Sequence, residues 1–368
     1  MKIPASENPL PTGNSHRRRA SDTLVQMSSL LLSPEARLRD SHGRAITDLR
    51  ISITDRCNYK CVYCRTGNIG AQYADLPIAD YLRMARLLVS LGIEKIRLTG
   101  GEPLLRKGLL DLVAELAKLR TAFTPEQQPL DIALTTNGHL LANLAQPLKD
   151  AGLSRITVSM DAVDPSTMER ITRIPGSHAA VLAGIRAAKQ TGLAPVKINC
   201  VLLRGFNENQ ILPFAEFSRR EGVVVRFIEF MPLEEDRLWS LDKVVGKHEI
   251  LAQLNQLTPV VPLPATHPSE TAIRYTFADG TGEIGIIAPV TEAFCGHCSR
   301  IRLTSDGKLR TCLFSQSDYD LYARLLRGET DEEAREFIRQ VIAGKEARHH
   351  IGEPGFLKPS RSMVHIGG

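Results

Sequence analysis

Residues 49–64 read LRISITDRCNYKCVYC, a β-branched run followed at once by a loop that holds Cys57, Cys61 and Cys64. The run Leu49–Thr54 predicts a buried strand. Three thiolates so close together can bind three irons of a 4Fe-4S cube and leave the fourth iron without a protein ligand. An open coordination position is what a catalytic metal needs to bind another molecule. A zinc knuckle is the alternative, but structural zinc takes four ligands, and no fourth Cys or His lies near.

Further along the chain, β-branched runs alternate with amphipathic segments, which is typical of a parallel α/β fold. Six such units are two short of a closed barrel, so the fold class predicted is α/β, a partial (β/α)6 TIM-like barrel with its chemistry at the carboxyl ends of the strands. The predicted strands are Leu49–Thr54, Glu94–Thr99, Asp131–Thr136, Arg155–Met160, Val196–Leu202 and Val223–Phe230. The predicted helices are Asp80–Leu91, Leu109–Leu119, Ala179–Gln190 and Gln210–Arg220.

The sequence predicts three regions. Residues 1–34, rich in Pro, Ser and Asn, are expected to be a disordered extension, either a solvated tail or a docking arm. Residues 35–231 would form the barrel, and residues 232–368 a C-terminal α+β domain. That last domain is expected to contain the short strands Ile273–Phe277, Glu283–Ile287 and Ile301–Leu303 and the helix Asp331–Ala343.

A second triplet, Cys295-x2-Cys298-x13-Cys312, repeats the pattern of three thiolates and one missing ligand. His297 could complete a zinc site, but its place between two of the cysteines makes ligation of one ion awkward. A second open cluster implies that a substrate supplies the fourth ligand. The seventh cysteine, Cys200, lies in an apolar run and is predicted to be a buried structural thiol.

Two arginines follow this triplet at strand spacing. Arg300 and Arg302 should point to the same face of a strand, where two guanidiniums suit bidentate contacts with phosphate. A solvated strand face is the alternative. The turn Gly100-Gly101-Glu102-Pro103 follows the second predicted strand and would let backbone approach a ligand closely, although such a turn is often only a turn.

Composition limits the class of substrate and the compartment that the protein is expected to have. The 368 residues are 43% hydrophobic and 24% charged, with a net charge of +5 spread along the sequence, which favours a small anionic substrate over nucleic acid. Seven clustered cysteines indicate metal ligands in a reducing compartment rather than disulfides. We find neither a secretory signal nor a membrane span, so we expect a cytoplasmic protein.

The Cys-x3-Cys-x2-Cys spacing, with Tyr63 before the last cysteine and the Gly-Gly-Glu-Pro turn beyond, resembles the signature of the radical S-adenosylmethionine (SAM) superfamily. The whole pattern from about Gly43 onward resembles the GTP 3',8-cyclase family, whose members open molybdenum cofactor biosynthesis. The stretches that carry this resemblance are Asp48-Leu49-Arg50, Thr54-Asp55-Arg56-Cys57-Asn58, the second triplet, and residues 361–368, RSMVHIGG. Arg65-Thr66, where many relatives have Met-Pro, departs from the pattern.

The resemblance implies roles for individual residues. Those implied for SAM are Tyr63, Gly100, Gly101, Glu102, Ser159 and Met231. Those implied for GTP are Arg50, Arg97, Thr135, Lys197, Arg226, Arg300, Ile301 and Arg302. Catalytic roles are implied for Arg50, Lys197, Gly367 and Gly368, although a terminal Gly-Gly could equally be a frayed end and Arg226 a structural ion-pair partner.

The resemblance also implies the reaction and the partners. Two 4Fe-4S clusters and SAM would generate a 5'-deoxyadenosyl radical that takes hydrogen from the ribose C3' of GTP, and the carbon radical would attack guanine C8 to give (8S)-3',8-cyclo-7,8-dihydroguanosine 5'-triphosphate. The implied partners are a flavodoxin- or ferredoxin-like electron donor, a downstream cyclic pyranopterin monophosphate synthase and a second copy in a homodimer. The alternatives are a peptide-modifying maturase of the same superfamily, which would carry more C-terminal cysteines, and a zinc-bound adaptor.

Overall fold

The computed structural model describes residues 1, 37–64, 71–124, 126–234 and 238–367. Except for Met1, the extension predicted for residues 1–34 lies outside the described residues, as do Arg65-Thr66 and Gly368. The described residues from Leu38 onward form one compact unit. No helix among the described residues is both long and apolar enough to cross a bilayer.

One sheet of twelve strands runs through the described part of the chain. Strands β1 to β6 are parallel and adjacent in chain order, which confirms the predicted partial barrel. Two C-terminal strands extend it, because β10 joins parallel to β1 and β9 joins parallel to β6. The strands are β1 Asp48–Ser52, β2 Lys95–Thr99, β3 Asp131–Thr136, β4 Arg155–Ser159, β5 Lys197–Leu202, β6 Val224–Glu229, β7 Val260–Leu263, β8 Ile273–Phe277, β9 Glu283–Ile287, β10 Arg300–Leu303, β11 Lys308–Arg310 and β12 Tyr319–Asp320.

The barrel helices pack their apolar sides on the outer face of the sheet in one large core. The longest C-terminal helix, α9, matches its predicted bounds, and a capping box of Thr330 and Glu333 fixes its start. The helices are α1 Ile78–Ser90, α2 Leu109–Ala117, α3 Leu141–Asp150, α4 Pro165–Thr172, α5 Ser177–Gln190, α6 Ile211–Glu221, α7 Lys247–Leu257, α8 Leu321–Leu326, α9 Asp331–Ala343 and α10 Met363–Ile366.

The first predicted strand is shorter than the sequence indicated. It ends at Ser52, and the next residues bond to the last residue of β2 and to the turn that follows it. The Ile53 amide donates to the Thr99 carbonyl over 3.0 Å, and the Thr54 carbonyl accepts from the Gly101 amide over 2.8 Å. The chain therefore leaves the sheet just where the first cysteine loop begins.

The C-terminal strands add to both edges of the barrel sheet rather than forming a sheet of their own. Strands β7 and β8 continue from β9 on one edge, and β11 and β12 continue from β10 on the other. The predicted boundary between residues 231 and 232 stays a prediction. The topology has one consequence for the site: β10, which follows the second cysteine pair, lies beside β1, which precedes the first triplet.

Alternate residues of the central strands separate a polar inner face from an apolar outer face. In β5, Ile198, Cys200 and Leu202 are fully buried against the helices, whereas Lys197 and Asn199 are half-buried on the other face. The prediction that Cys200 is buried is thus confirmed. Strand alternation places the polar set toward the interior of the open barrel, which is where the candidate site lies.

Candidate active site

The first cysteine loop follows β1 and is held by backbone bonds from two other parts of the barrel. The Lys60 and Val62 amides donate to the carbonyls of Thr172 and Ile171, both over 3.1 Å, and the Glu102 amide donates to the Arg56 carbonyl over 2.7 Å. All three cysteines of the triplet are half-buried. The loop is therefore a fixed element that presents its thiols on a partly open surface.

Gly100 and Gly101 lie against the backbone of the cysteine loop. A Cβ atom at Gly100 would lie 2.4 Å from the Thr54 carbonyl oxygen, and one at Gly101 would lie 2.3 Å from the Arg56 carbonyl oxygen. Both positions thus require glycine because the turn packs against the backbone of the cysteine loop. The expected close approach to a cofactor stays a prediction.

Glu102 braces the same turn from within. Its carboxylate is buried and accepts hydrogen bonds from the Leu104 amide at 3.0 Å, the Thr136 hydroxyl at 2.7 Å and the Asn137 amide at 2.7 Å. Burial raises its pKa to about 7. Its observed contacts give Glu102 a positioning role between β2 and β3, and its predicted cofactor contact stays a prediction.

Tyr63 is fixed by a carboxylate that follows β4. Its hydroxyl donates to Asp161 Oδ2 over 2.7 Å, and Asp161 Oδ1 accepts from the Val201 amide over 2.9 Å. Asp161 is buried, and burial raises its pKa to about 6. Burial, followed by the charge of Asp161, holds the pKa of Cys61 well above its usual range. The first triplet therefore has a carboxylate neighbour.

The second triplet has basic neighbours. Arg44, paired with Asp40 at 2.6 Å, donates to the Cys295 carbonyl over 2.8 Å. Lys345 is buried and donates to the Thr311 carbonyl beside Cys312. This side of the molecule thus brings two cations from distant parts of the chain to the cysteines.

A third cation touches a sulfur directly. An Arg300 N–H lies 3.5 Å from Cys298 Sγ. Burial alone would raise the pKa of Cys298, but Arg300 and Lys345 outweigh it and lower the pKa to about 7. A thiolate is therefore far easier to form at Cys298 than at Cys61.

The donor set fits cubane clusters. Each triplet offers three half-buried free thiols, and each thiolate of a cubane binds its own iron. Within the described ranges, no group of three His, Cys, Asp or Glu side chains is close enough to hold a single ion. Cys57, Cys61 and Cys64 would hold one cluster and Cys295, Cys298 and Cys312 the other.

A row of arginines crosses three adjacent strands between the two triplets. Arg50 pairs in register with Arg97 on one side and with Arg302 on the other. Burial and the neighbouring charges of Arg300 and Arg97 lower the pKa of Arg50 to about 9. Three guanidiniums in register repel one another unless an anion joins them, so the row is built for a polyanion.

The row continues across the barrel to Lys197 and Arg226. Arg97 donates to the hydroxyls of Thr135 and Thr157, both over 3.1 Å, and Arg226 donates to Asn199 Oδ1 over 2.9 Å. Burial, with nearby arginines, lowers the pKa of Arg97 to about 9, and burial lowers that of Arg226 to about 10. Burial and the charge of Arg226 lower the pKa of Lys197 to about 8.

The cations that begin β2 and β4 are ion-paired. Lys95 lies 3.3 Å from Asp48, and Arg155 pairs with Asp131. The Arg226 side chain, by contrast, donates to the Asn199 amide oxygen and the Thr157 hydroxyl, which are neutral. Arg226 thus has neutral hydrogen-bond acceptors in the middle of β6, and the charges of Glu270 and Glu283 act on it without a direct ion pair among the described residues.

The C-terminal segment returns to this region. Its helix α10 is anchored by Arg361, which pairs with Asp306 at 2.8 Å and with Asp318 at 2.5 Å. Gly367 then accepts a hydrogen bond from Arg302 through its carbonyl oxygen. A Cβ atom at Gly367, whose φ is +82°, would lie 2.7 Å from Thr99 Cγ2. The described end of the chain is therefore seated at the carboxyl ends of β1 and β2.

Three other predicted residues have defined places. Ser159 ends β4 and is half-buried, and half-buried Met231 follows β6. The Ile301 side chain is fully buried in the core, because strand alternation turns it away from the face of Arg300. Only the backbone of Ile301 can therefore meet a ligand on the inner face.

Sequence reasoning missed four residues that shape the site: Arg44, Asp161, Glu229 and Lys345. Glu229 is buried at the end of β6 and accepts bonds from the amides of Val290, at 2.8 Å, and Thr291, at 2.9 Å, in the segment that leads to Cys295. A polar residue directly after a barrel strand is the signal that could have identified Asp161. For Lys345 the sequence carries no local signal.

Two protein-family models match the chain. The model of the Radical SAM superfamily matches residues 51–218, and that of Molybdenum Cofactor Synthesis C matches residues 223–351. With the open barrel and the cysteine loop after β1, this defines the chain as a radical SAM protein. A GTP 3',8-cyclase of Acidothermus cellulolyticus is 45% identical, over 81% of this chain and 82% of its own length. One of Syntrophomonas wolfei is 40% identical, over 89% of this chain and 99% of its own length. The chain belongs to the GTP 3',8-cyclase family.

The fold also has solved relatives. A crystal structure of Streptococcus suis SuiB bound to S-adenosylmethionine superposes with a TM-score of 0.56 at 15% identity, covering 89% of this chain and 74% of that chain. At that identity the likeness concerns the fold alone. It agrees with the open α/β barrel extended by a C-terminal region.

Proposed function

We propose that this chain is a radical SAM enzyme that cyclises GTP to (8S)-3',8-cyclo-7,8-dihydroguanosine 5'-triphosphate, the first step of molybdenum cofactor biosynthesis. The observation that carries the proposal is the register of Arg50, Arg97 and Arg302 across three strands, between the two cysteine triplets. Such a row requires a polyanion, and a nucleoside triphosphate supplies one. Family membership identifies the nucleotide as GTP.

The proposed division of labour places the cofactor at the first triplet. When bound there, a 4Fe-4S cluster and SAM supply the 5'-deoxyadenosyl radical that removes hydrogen from ribose C3'. Tyr63, Gly101, Ser159 and Met231 would line the SAM site, and Asp161 supports this by fixing the Tyr63 ring. The protein's own task is then to hold C3' near guanine C8 and to exclude water and oxygen.

The second triplet would face the nucleotide. Its cluster would leave one iron for the guanine base, and Arg300 and Arg302 would bind the phosphates, a role supported by the register of Arg302 with Arg50. Lys197 and Arg226 would close the opposite side. Gly367 and Gly368 would complete the site, a role supported by the bond from Arg302 to the Gly367 carbonyl oxygen.

Further partners are part of the proposal. The reaction consumes electrons at low potential, so we propose a flavodoxin- or ferredoxin-like donor, and its product suits a downstream cyclic pyranopterin monophosphate synthase. We also propose a homodimer, a cytoplasmic location, and the division into a barrel of residues 35–231 and a C-terminal domain of residues 232–368.

The test is anaerobic incubation of the reconstituted protein with GTP, SAM and dithionite, followed by mass analysis. The expected products are 5'-deoxyadenosine and a cyclised isomer of GTP that forms only when both substrates are present. Iron and sulfide analysis should give about eight irons per chain, as two cubes require. A colourless protein with about two zincs per chain would instead favour an adaptor and contradict the proposal.

A further inference from the structure

Lys345 is a buried cation with an unusual position. It follows α9, is only 3% exposed, and donates from its ammonium to the carbonyl of Thr311, the residue before Cys312. Among the residues that the structure describes, it has no carboxylate within 4 Å as an ion-pair partner. A buried ammonium without a direct ion pair is costly, so its surroundings in the complete enzyme should contain further negative charge.

The second triplet is the group that this charge lies against. The ammonium binds the carbonyl of the residue directly before Cys312, and Arg300 donates to Cys298 Sγ over 3.5 Å. A buried charge next to a cluster ligand is weakly screened, so it acts on the cluster that the triplet would hold.

The next residue has the opposite effect. Glu346 accepts a hydrogen bond from the Thr311 hydroxyl over 2.7 Å, which brings a negative charge to the residue before Cys312. Lys345 and Glu346 therefore hold the carbonyl and the hydroxyl of the same residue while carrying opposite charges. This pairing offers two substitutions with opposite electrostatic signs at almost the same place.

A cubane on three thiolates is a net anion, and one-electron reduction makes it more negative. A fixed positive charge nearby stabilises the reduced form more than the oxidised form and raises the reduction potential, whereas a negative charge lowers it. A neutral side chain could donate the same hydrogen bond to Thr311. The charge of Lys345 is thus the feature that a purely structural role leaves unexplained.

We propose that Lys345 is a positioning residue of the second cluster, whose buried ammonium raises the reduction potential of that cluster, while Glu346 opposes it. The proposal rests on the assignment of a cluster to Cys295, Cys298 and Cys312 made under the proposed function. The couple is a one-electron reduction of the cluster by a low-potential reductant such as dithionite, in which no bond forms or breaks.

The test is a dithionite titration of reconstituted enzyme in which EPR follows both clusters, with Cys312→Ala identifying the second signal. Lys345→Met should lower the ratio of reduced to oxidised second cluster at a fixed potential at least about threefold, equal to about 30 mV at 59 mV per factor of ten. Lys345→Arg should restore the ratio, and Glu346→Gln should move it the other way. The first cluster should not respond to any of these changes.

A matched control is Lys189→Met, which removes an equal charge from the outer helix α5, where Lys189 pairs with Glu221 at 3.6 Å. An unchanged second potential in Lys345→Met, or an equal shift of both clusters, would overturn the proposal. If Lys345→Met does not assemble the second cluster, the Glu346→Gln variant provides the test instead. A reduction potential of the second cluster that does not rise in Glu346→Gln would then also refute the proposal. A wild-type enzyme without any second signal would instead refute the cluster assignment itself, and so the proposed function.

Discussion

The two cysteine triplets offer the same three sulfurs in opposite electrostatic surroundings. Near the first triplet lies the Asp161 carboxylate, whose charge keeps the pKa of Cys61 high in addition to burial. Near the second lie Lys345 and Arg300, whose charges bring the pKa of Cys298 down to about 7 although burial opposes them. Sequence spacing makes the two triplets look alike, and tertiary contacts make them different.

The opposite charges around the two triplets suit two different chemical roles. Negative neighbours destabilise an added electron, so we expect a cluster at the first triplet to be the stronger reductant of the two, as the reductive cleavage of a sulfonium needs. Positive neighbours stabilise anions, so a cluster at the second triplet suits a site that receives a triphosphate. The two triplets thus have the same three ligands, and the charged residues around them give the two sites different chemistry.

The largest expected effects come from removing one cysteine ligand of either triplet, and they should differ between the two triplets. Cys57→Ala should lower 5'-deoxyadenosine formation by more than about 10²-fold, because the cofactor site loses its cluster. Loss of a residue that only hydrogen-bonds to a metal ligand typically costs about 10- to 100-fold, so the loss of a ligand itself should cost more. Cys312→Ala should abolish the cyclised nucleotide and leave uncoupled SAM cleavage. The measurement is product analysis by mass under dithionite.

Cys200→Ala is the matched control for those two variants. Cys200 is buried in β5, where its thiol lies 3.7 Å from the Asp161 carbonyl oxygen, so its loss should cost stability and leave the iron content unchanged. Equal loss of SAM cleavage in Cys57→Ala and Cys312→Ala would show that the two sites do not divide the work.

The next largest effect concerns GTP binding by the arginines near the second triplet. Arg300→Ala combined with Arg302→Ala removes two charge-assisted bonds of about 1.5–3 kcal/mol each, so the Kd for GTP should rise by about 10²-fold or more while uncoupled SAM cleavage persists. Calorimetry with GTP measures the first and 5'-deoxyadenosine the second. Arg219→Ala, which breaks an outer ion pair with Asp279, is the control, and unchanged GTP affinity in the double variant would remove the substrate assignment.

A smaller effect concerns pH. Burial lowers the pKa of Lys197 to about 8, and a bound triphosphate favours the protonated form and therefore raises that pKa again. GTP affinity should be nearly constant below pH 8 and should fall by up to about tenfold per pH unit above it. Calorimetry between about pH 7.5 and 9 checks the slope. Lys197→Arg should flatten the curve, and an equally steep curve in that variant would assign the slope to another group.

The sequence predicted those parts of the site that depend on local pattern. The first cysteine loop had to follow a strand, because β-branched alternation ends where Cys57 begins, and Arg300 and Arg302 had to be near one another, because strand alternation has period two. The lateral register that joins Arg50 to Arg302 could not be read from the sequence, since it depends on β10 pairing with β1 across 252 residues, Arg50 to Arg302.

Other features required the fold itself. Arg44 reaches the Cys295 carbonyl from 251 residues away, and Lys345 follows a helix with no motif to distinguish it. That Gly100 and Gly101 also make room for the cysteine loop appears only in the structure, and their predicted approach to a ligand stays a prediction. Helix α3 was not predicted, and it contains Pro147, which argues locally against a helix.

The smallest expected effect lies near the first triplet, at the hydrogen bond between Tyr63 and Asp161. Tyr63→Phe keeps the ring and removes a hydrogen bond of 2.7 Å to a buried carboxylate, a loss of about 1–2 kcal/mol in ring placement. The KM for SAM should rise about 5- to 30-fold, with GTP affinity unchanged. Tyr59→Phe is the control, since that hydroxyl meets His139 at 3.2 Å instead.

Asp161→Asn distinguishes positioning from charge, because an amide can still hold both the Tyr63 hydroxyl and the Val201 amide but carries no negative charge. If Asp161 acts only through the ring, this variant should bind SAM as the wild type does. If its charge also keeps the first cluster reducing, the reduction potential of that cluster should rise, opposite in sign to the shift that Lys345→Met produces at the second. Potentials that move in the same direction in the two variants would contradict the view that opposite surroundings distinguish the triplets.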